Sequence, residues 1–196
     1  MDLMQVRRRM MMQTKKSRLP SAYQEVEYIQ STGTQYISLF DTFYINKTFS
    51  LVCQSDATTD TTVIFGYGAS GGLWFGTYNG TYALSMDDRW YNVSISDRIT
   101  AIISYKTNGG IHVNIDGVVK STGYFGQRHA LSLFSGQGSS SWYPASVKIF
   151  SLTSDGIIDL VPCYRKSDGE IGMYDLVSNT FFTNQGTGTF LKGADV

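Results

Sequence analysis

The chain of 196 residues is poor in helix-builders and in staples, with 8 Ala, 12 Leu, 3 Pro and 2 Cys. Scarce Ala and Leu argue against a helical protein, because these two residues favour helix interiors most. Cys53 and Cys163 are too few and too far apart for a disulfide framework; they are expected as buried free thiols in a reducing cytosol. No apolar run nears the roughly 18 residues of a membrane span, so no membrane partner is expected. The basic residues near the start are followed by Met10-Met11-Met12-Gln13-Thr14, not by an apolar stretch ending in small residues, and a secretory signal is not expected.

Net charge is also absent, at zero, but the sum conceals a split. Arg7, Arg8, Arg9, Lys15, Lys16 and Arg18 stand against Asp2, which gives residues 1–19 a net +5 and leaves −5 on the other 177 residues. A mildly acidic body offers phosphates little, so nucleic acid is not an expected partner. Within the basic stretch Leu3, Val6 and Met10 recur at helical spacing, which predicts a short amphipathic N-terminal helix. At about 16 residues such a helix is marginal alone and needs a partner surface or its own copies. Leu19-Pro20 ends it, because the residue before proline avoids the helical region.

What the chain has in quantity is Ser (22), Thr (19), Gly (20) and aromatics (14%), a composition for pleated strands joined by tight turns. Fourteen strand candidates follow Ser21 at short intervals, among them Tyr23–Ile29, Leu73–Tyr78, Ile111–Ile115 and Thr180–Thr183. Ile111, Val113 and Ile115 alternate with His112 and Asn114, and Asp116-Gly117 then predicts a type I′ hairpin turn. Turn signals recur at Asn79-Gly80, Ser154-Asp155-Gly156 and Ser167-Asp168-Gly169. The expectation is an all-β protein: residues 1–19 form an anchor segment and residues 20–196 a two-sheet antiparallel sandwich of jelly-roll type.

Three stretches carry a resemblance. The opening Leu19-Pro20-Ser21-Ala22-Tyr23-Gln24-Glu25-Val26-Glu27-Tyr28-Ile29-Gln30-Ser31-Thr32-Gly33-Thr34-Gln35-Tyr36-Ile37 resembles a segment common in proteins of gut bacteria and their phages. The closing Leu160-Val161-Pro162-Cys163-Tyr164-Arg165-Lys166, Gly169 to Leu176 and Gly186-Thr187-Gly188-Thr189-Phe190 resembles the end of the same group. Between them, Ala145 to Leu152 and the Val113 to Val118 hairpin look like late strands of concanavalin A-like, laminin G-like sandwiches. The resemblance covers roughly residues 19–193. It implies a concanavalin A-like jelly roll of the kind carried on phage tail or virion surface proteins, with carbohydrate binding as the usual inherited activity.

Catalytic signatures are weak. A glycosidase needs two carboxylates flanking the sugar bond, and the Glu-x-Asp-x-x-Glu strand pattern is missing. Glu25 and Glu27 alternate onto one face, but in an opening segment expected at a sheet edge. Gly66-Tyr67-Gly68-Ala69-Ser70-Gly71 spells a dinucleotide fingerprint, yet Leu73-Trp74-Phe75 continues as a strand where the phosphate site needs a helix, so a hairpin loop is expected. His112 and His129 lack metal-ligand spacing. Asp56 and Asp60 in one polar loop leave calcium as a minor expectation; no other cofactor or metal is expected. Asp87-Asp88 and Asp168-Gly169-Glu170 read as turn acids.

Aromatics are more suggestive. Trp142, Tyr143, Trp74, Tyr78, Trp90 and Tyr91 stand beside Gly, Asn, Asp and Ser, the neighbours of a platform on which a sugar ring stacks while polar groups take its hydroxyls. The same rings could equally belong to the core. The leading expectation is a non-enzymatic virion protein, assembled in the bacterial cytoplasm. Leu3, Val6, Arg7, Arg8, Arg9 and Met10 would attach it to other virion proteins or to its own copies in a homo-oligomer, and the sandwich would meet host glycans. The alternatives are a purely structural decoration module and a bacterial cell-surface carbohydrate-binding protein.

Overall fold

The computed structural model describes residues 18–40, 46–55, 61–67, 73–78, 80–84, 89–94, 97–105, 110–122, 131–135 and 145–196. Among them are 17 strands, all paired antiparallel, and no helix. The larger sheet runs in the order β11 (Val118–Thr122), β10 (Ile111–Ile115), β9 (Ile99–Tyr105), β4 (Thr48–Ser55), β13 (Ser146–Ser154), β14 (Ile158–Arg165), β15 (Ile171–Asp175) and β16 (Thr180–Thr183). β1 (Tyr23–Glu25) joins it on β14, β2 (Ile29–Thr32) on β13, and β17 (Leu191–Lys192) on β2. The smaller sheet runs β3 (Ile37–Phe40), β12 (Leu131–Leu133), β5 (Thr62–Tyr67), β6 (Leu73–Tyr78), β7 (Thr81–Leu84) and β8 (Arg89–Ser94). The expected all-β, two-sheet sandwich is therefore present, in an arrangement compatible with a jelly roll. The N-terminal helix expected before Lys16 lies outside the described residues.

Alternation builds the core. On β4, Phe49, Leu51 and Cys53 point inward, level with Ile103, Ala101 and Ile99 of β9, and Ile111, Val113 and Ile115 of β10 continue the same face. Each such aliphatic side chain contributes about 1.5–3 kcal/mol when fully withdrawn from water. Phe49 meets Phe65 of the opposite sheet with ring centres 5.3 Å apart, and the Tyr82 hydroxyl accepts the Ser55 N–H at 3.2 Å, so β7 and β4 are tied across the interior. The hairpin at Asp116-Gly117 forms as expected: both residues have positive φ, 49° and 85°, and Asn114 Oδ1 accepts the Gly117 N–H at 2.9 Å.

A second, smaller cluster sits on the outer face of the larger sheet. Val161 and Cys163 alternate outward from β14, Tyr174 does so from β15, and Leu19 covers them. Tyr23 adds its ring against Tyr174 and Phe181 at 4.8 and 5.0 Å.

The opening segment departs from expectation. Instead of one strand over Tyr23–Ile29 at a sheet edge, there are two short strands lodged between neighbours on both sides. One side pairs with β14 and β13; on the other, residues 191–196 run antiparallel to it, through Leu191↔Gln30, Lys192↔Ile29 and the Val26↔Asp195 bridge. The physical reason is the shape of the β13–β14 hairpin. The two strands pair only at residues 152–154 with 158–160, and the chain on either side takes the opening segment in their place.

Gln35 locks this arrangement. Its Oε1 accepts the Thr32 N–H at 2.7 Å and the Ser31 and Thr32 hydroxyls, while its Nε2 donates to Thr34 Oγ1 and to the Thr187 carbonyl at 3.1 Å. Asn184 adds a second tie, accepting the Tyr36 and Gly186 N–H groups and donating to the Gly188 carbonyl. The two terminal motifs, some 150 residues apart, thus form one interlocked element.

Candidate functional site

The expected aromatic platform has two described members in full. On β6, Phe75 and Thr77 are buried towards the interior, so Trp74 and Tyr78 share the outward face and are half-buried there. Four strand positions separate them, about 13 Å along the chain. Between them stands Gly76, where a Cβ would run into the Thr62 carbonyl; the register shift between Val63 and Phe65 brings that carbonyl close. Trp74 lies opposite Gly66, and Gly76 lies opposite Val63 on one side and Ala83 on the other. Thr81, opposite Tyr78, donates its hydroxyl to the Tyr78 carbonyl at 3.2 Å.

Val63 and Ala83, which flank Gly76 on this face, are only 1% and 2% exposed. The face beside Gly76 is therefore covered, while Trp74 and Tyr78 keep partial exposure. Trp90 and Tyr91 lie on β8, with the Trp90 backbone opposite Ala83. Trp142 and Tyr143 lie outside the described residues, as do Leu3, Val6, Arg7, Arg8, Arg9, Met10, Asp56, Asp60, Asp87, Asp88 and His129.

The described polar groups with shifted ionisation are tied into the fold. Asp168 takes a two-pronged contact from Arg165, at 2.7–3.1 Å, and accepts the Glu170 N–H, as a turn acid does. The Arg165 guanidinium holds its carboxyl below the usual carboxylate range. Asp175 is fully buried: burial pushes its pKa up, but bonds from the Asp159, Val177 and Ser178 amides and the Ser178 hydroxyl outweigh this and leave it below the usual value. His112 Nδ1 lies 3.2 Å from Ser121 Oγ across the β10–β11 pair. Glu25 is half-buried on β1, and Glu27 is exposed beyond its end.

Cys53 and Cys163 are free and buried, and burial pushes each thiol up to about 12. Among the described residues no group of three His, Cys, Asp or Glu side chains could hold a metal ion, and no helix is long and apolar enough to cross a membrane.

Arg18 and Leu19 join the sandwich at a defined place. Arg18 reaches Asp159 at 3.4 Å, Leu19 is buried on Val161 and Cys163, and a turn closed by the Tyr23 N–H on the Pro20 carbonyl leads into β1. Sequence reasoning passed over this seat and over Gln35. A lone glutamine among Ser, Thr and Gly is the signal that marked the latter. No family model matches the chain, and a comparison with curated proteins found no match.

Proposed function

We propose that the protein is a non-enzymatic structural component of a phage virion, a tail, fibre or head-decoration part. In this reading residues 1–19 attach it and a concanavalin A-like sandwich is displayed towards host-surface glycans. The observation that carries the reading is the seat of Leu19. Arg18 and Leu19, the two described residues of the basic segment, meet the sandwich through a buried leucine on the outer face of the larger sheet, against Val161 and Cys163 of the closing motif. A load carried through Leu19 would pass into β14 and β15, which hold Val161, Cys163 and Tyr174. The resemblance of those same motifs to proteins of gut bacteria and their phages supplies the setting.

A second reading, a decoration module without sugar binding, is favoured by the burial of Val63 and Ala83 on the face that Trp74 and Tyr78 share, which leaves less open surface beside the two rings. Two experiments decide. Purified particles should contain the chain, and a chain lacking residues 1–17 should fail to enter them; normal incorporation of the shortened chain refutes the anchor. A multivalent display of the sandwich on a glycan array should bind host-wall sugars, because linked copies amplify weak single sites. Silence of the array leaves the decoration role.

A further inference from the structure

The chain has three Asp-Gly pairs, each at the tip of a hairpin, and the fold holds one of them differently. Asp116-Gly117 joins β10 to β11, Asp155-Gly156 joins β13 to β14, and Asp168-Gly169 joins β14 to β15. Exposure and space do not separate them. All of these residues are exposed, and the glycines have positive φ, at 85°, 64° and 76°, with nothing within 4 Å of where a Cβ would stand. Hydrogen bonds do separate them. Asn114 Oδ1 accepts the Gly117 N–H at 2.9 Å, and the Arg165 carbonyl accepts the Gly169 N–H at 2.8 Å. Asp168 is held by its side chain as well, which takes the Arg165 guanidinium at 2.7–3.1 Å and the Glu170 N–H at 3.1 Å. Among the described residues nothing accepts the Gly156 N–H and nothing donates to the Asp155 carboxylate; that turn is closed one residue later, by the Ile157 N–H on the Ser154 carbonyl at 3.0 Å.

An amide next to an aspartate carboxyl is a nucleophile beside an electrophile. The glycine nitrogen bonds to the aspartate Cγ and closes a cyclic imide, while the Cγ–O bond breaks and the hydroxyl departs with the amide proton as water. Water then adds back. Addition at Cγ restores aspartate, whereas addition at the α-carbonyl breaks the original peptide bond and leaves the chain running through Cγ as isoaspartate, with no change in mass. Glycine admits this ring because it has no side chain to obstruct it and moves freely in φ. An amide bound to an acceptor must first leave it, as in hydrogen exchange, so the bonds at Gly117 and Gly169 slow the step. We propose that, of the three pairs, Asp155-Gly156 is the backbone-modification site of the folded chain, where aspartate passes through the succinimide to isoaspartate. The product bears on the fold. One methylene enters the turn that Ile157 N–H closes on Ser154, next to the Ser154↔Ile158 pairing and to Ile158, which is buried.

The test ages the full, folded chain for weeks in warm neutral buffer. Isoaspartate is mapped with peptide standards and by the failure of an Asp-specific endoproteinase to cut at the modified residue. Each site is counted apart from Asn79 and Asn108, whose Asn-Gly pairs give the same product by loss of ammonia. Position 155 is expected to convert about 2- to 10-fold faster than 116 and 168, the factor that one net hydrogen bond sets, whereas in urea the three rates should converge. Equal rates in the folded chain, or 116 or 168 ahead of 155, overturn the proposal. So does a position 155 that converts in urea but not in the folded chain. Asn114→Ala checks the cause by freeing the Gly117 N–H. The rate at 116 should rise towards that of 155, with 155 and 168 unchanged as the sign that the fold is kept; a rate at 116 that stays low while theirs hold also overturns the proposal.

Discussion

Gln35 concentrates more of the fold in one side chain than any other described polar residue. Replacing it by alanine removes the side-chain partner of the Thr32 N–H and one of the two donors to the Thr187 carbonyl, both part-buried bonds, a loss of about 0.5–1.5 kcal/mol. Urea unfolding should show the midpoint fall with an unchanged slope; an unchanged midpoint would mean that water replaces the amide. Asp175 carries a pH signature. Its folded-state pKa is below the unfolded value near about 4, so its contribution is complete above that value and is lost as pH falls through the lower folded one. Asp175→Asn should flatten the acid side of the stability curve, and an acid limb parallel to that of the parent counts against this. The two thiols, raised to about 12, should resist alkylation at pH 8 until the chain unfolds. Labelling of Cys53 or Cys163 on mixing, in native buffer, would show that the burial is not maintained in solution.

At the scale of elements, two glycines with different duties give a graded prediction. Gly117 has φ +85° in an open turn with nothing near its missing Cβ, so Gly117→Ala should cost about 1 kcal/mol through backbone strain alone. At Gly76 the obstacle is the Thr62 backbone, and Gly76→Ala should cost more than about 3 kcal/mol because the β5–β6 pair must part. Thermal melts of both variants check the order; equal losses would mean that the Thr62 carbonyl does not stand against Gly76 in solution. The same elements show what the sequence could reveal. Leu73–Tyr78, Ile111–Ile115 and Thr180–Thr183 were readable to the residue: alternation and the Asp116-Gly117 turn coincide at the second, Asn79-Gly80 closes the first, and aromatic and β-branched residues mark the first and third. β11 and β17 were not readable, since an edge strand and a strand of exposed residues show no apolar period. The split of Tyr23–Ile29 was hidden for another reason: it depends on partners some 120–170 residues away. Of the candidate site, the face shared by Trp74 and Tyr78 follows from period two, whereas the cover over Val63 and Ala83 is tertiary and leaves no local mark.

For the whole molecule, the division of charge predicts a salt dependence. The +5 of residues 1–19 and the −5 of the other 177 residues are opposite in sign, so association driven by them should weaken as salt rises past about 0.1 M, where screening shortens to about 10 Å. Sedimentation at low and high salt checks this: self-association that weakens with salt is expected, and salt-resistant association counts against the basic segment. The interlock of the two ends also has a kinetic side. The partners of β1 and β2 lie at residues 146–149 and 162–165 and in 191–196, all made more than about 100 residues after them. On the ribosome these strands emerge with nothing to pair with. Closure of this part of the sheet therefore waits for residues 191–196, and its formation is slow because it rests on contacts of long sequence separation.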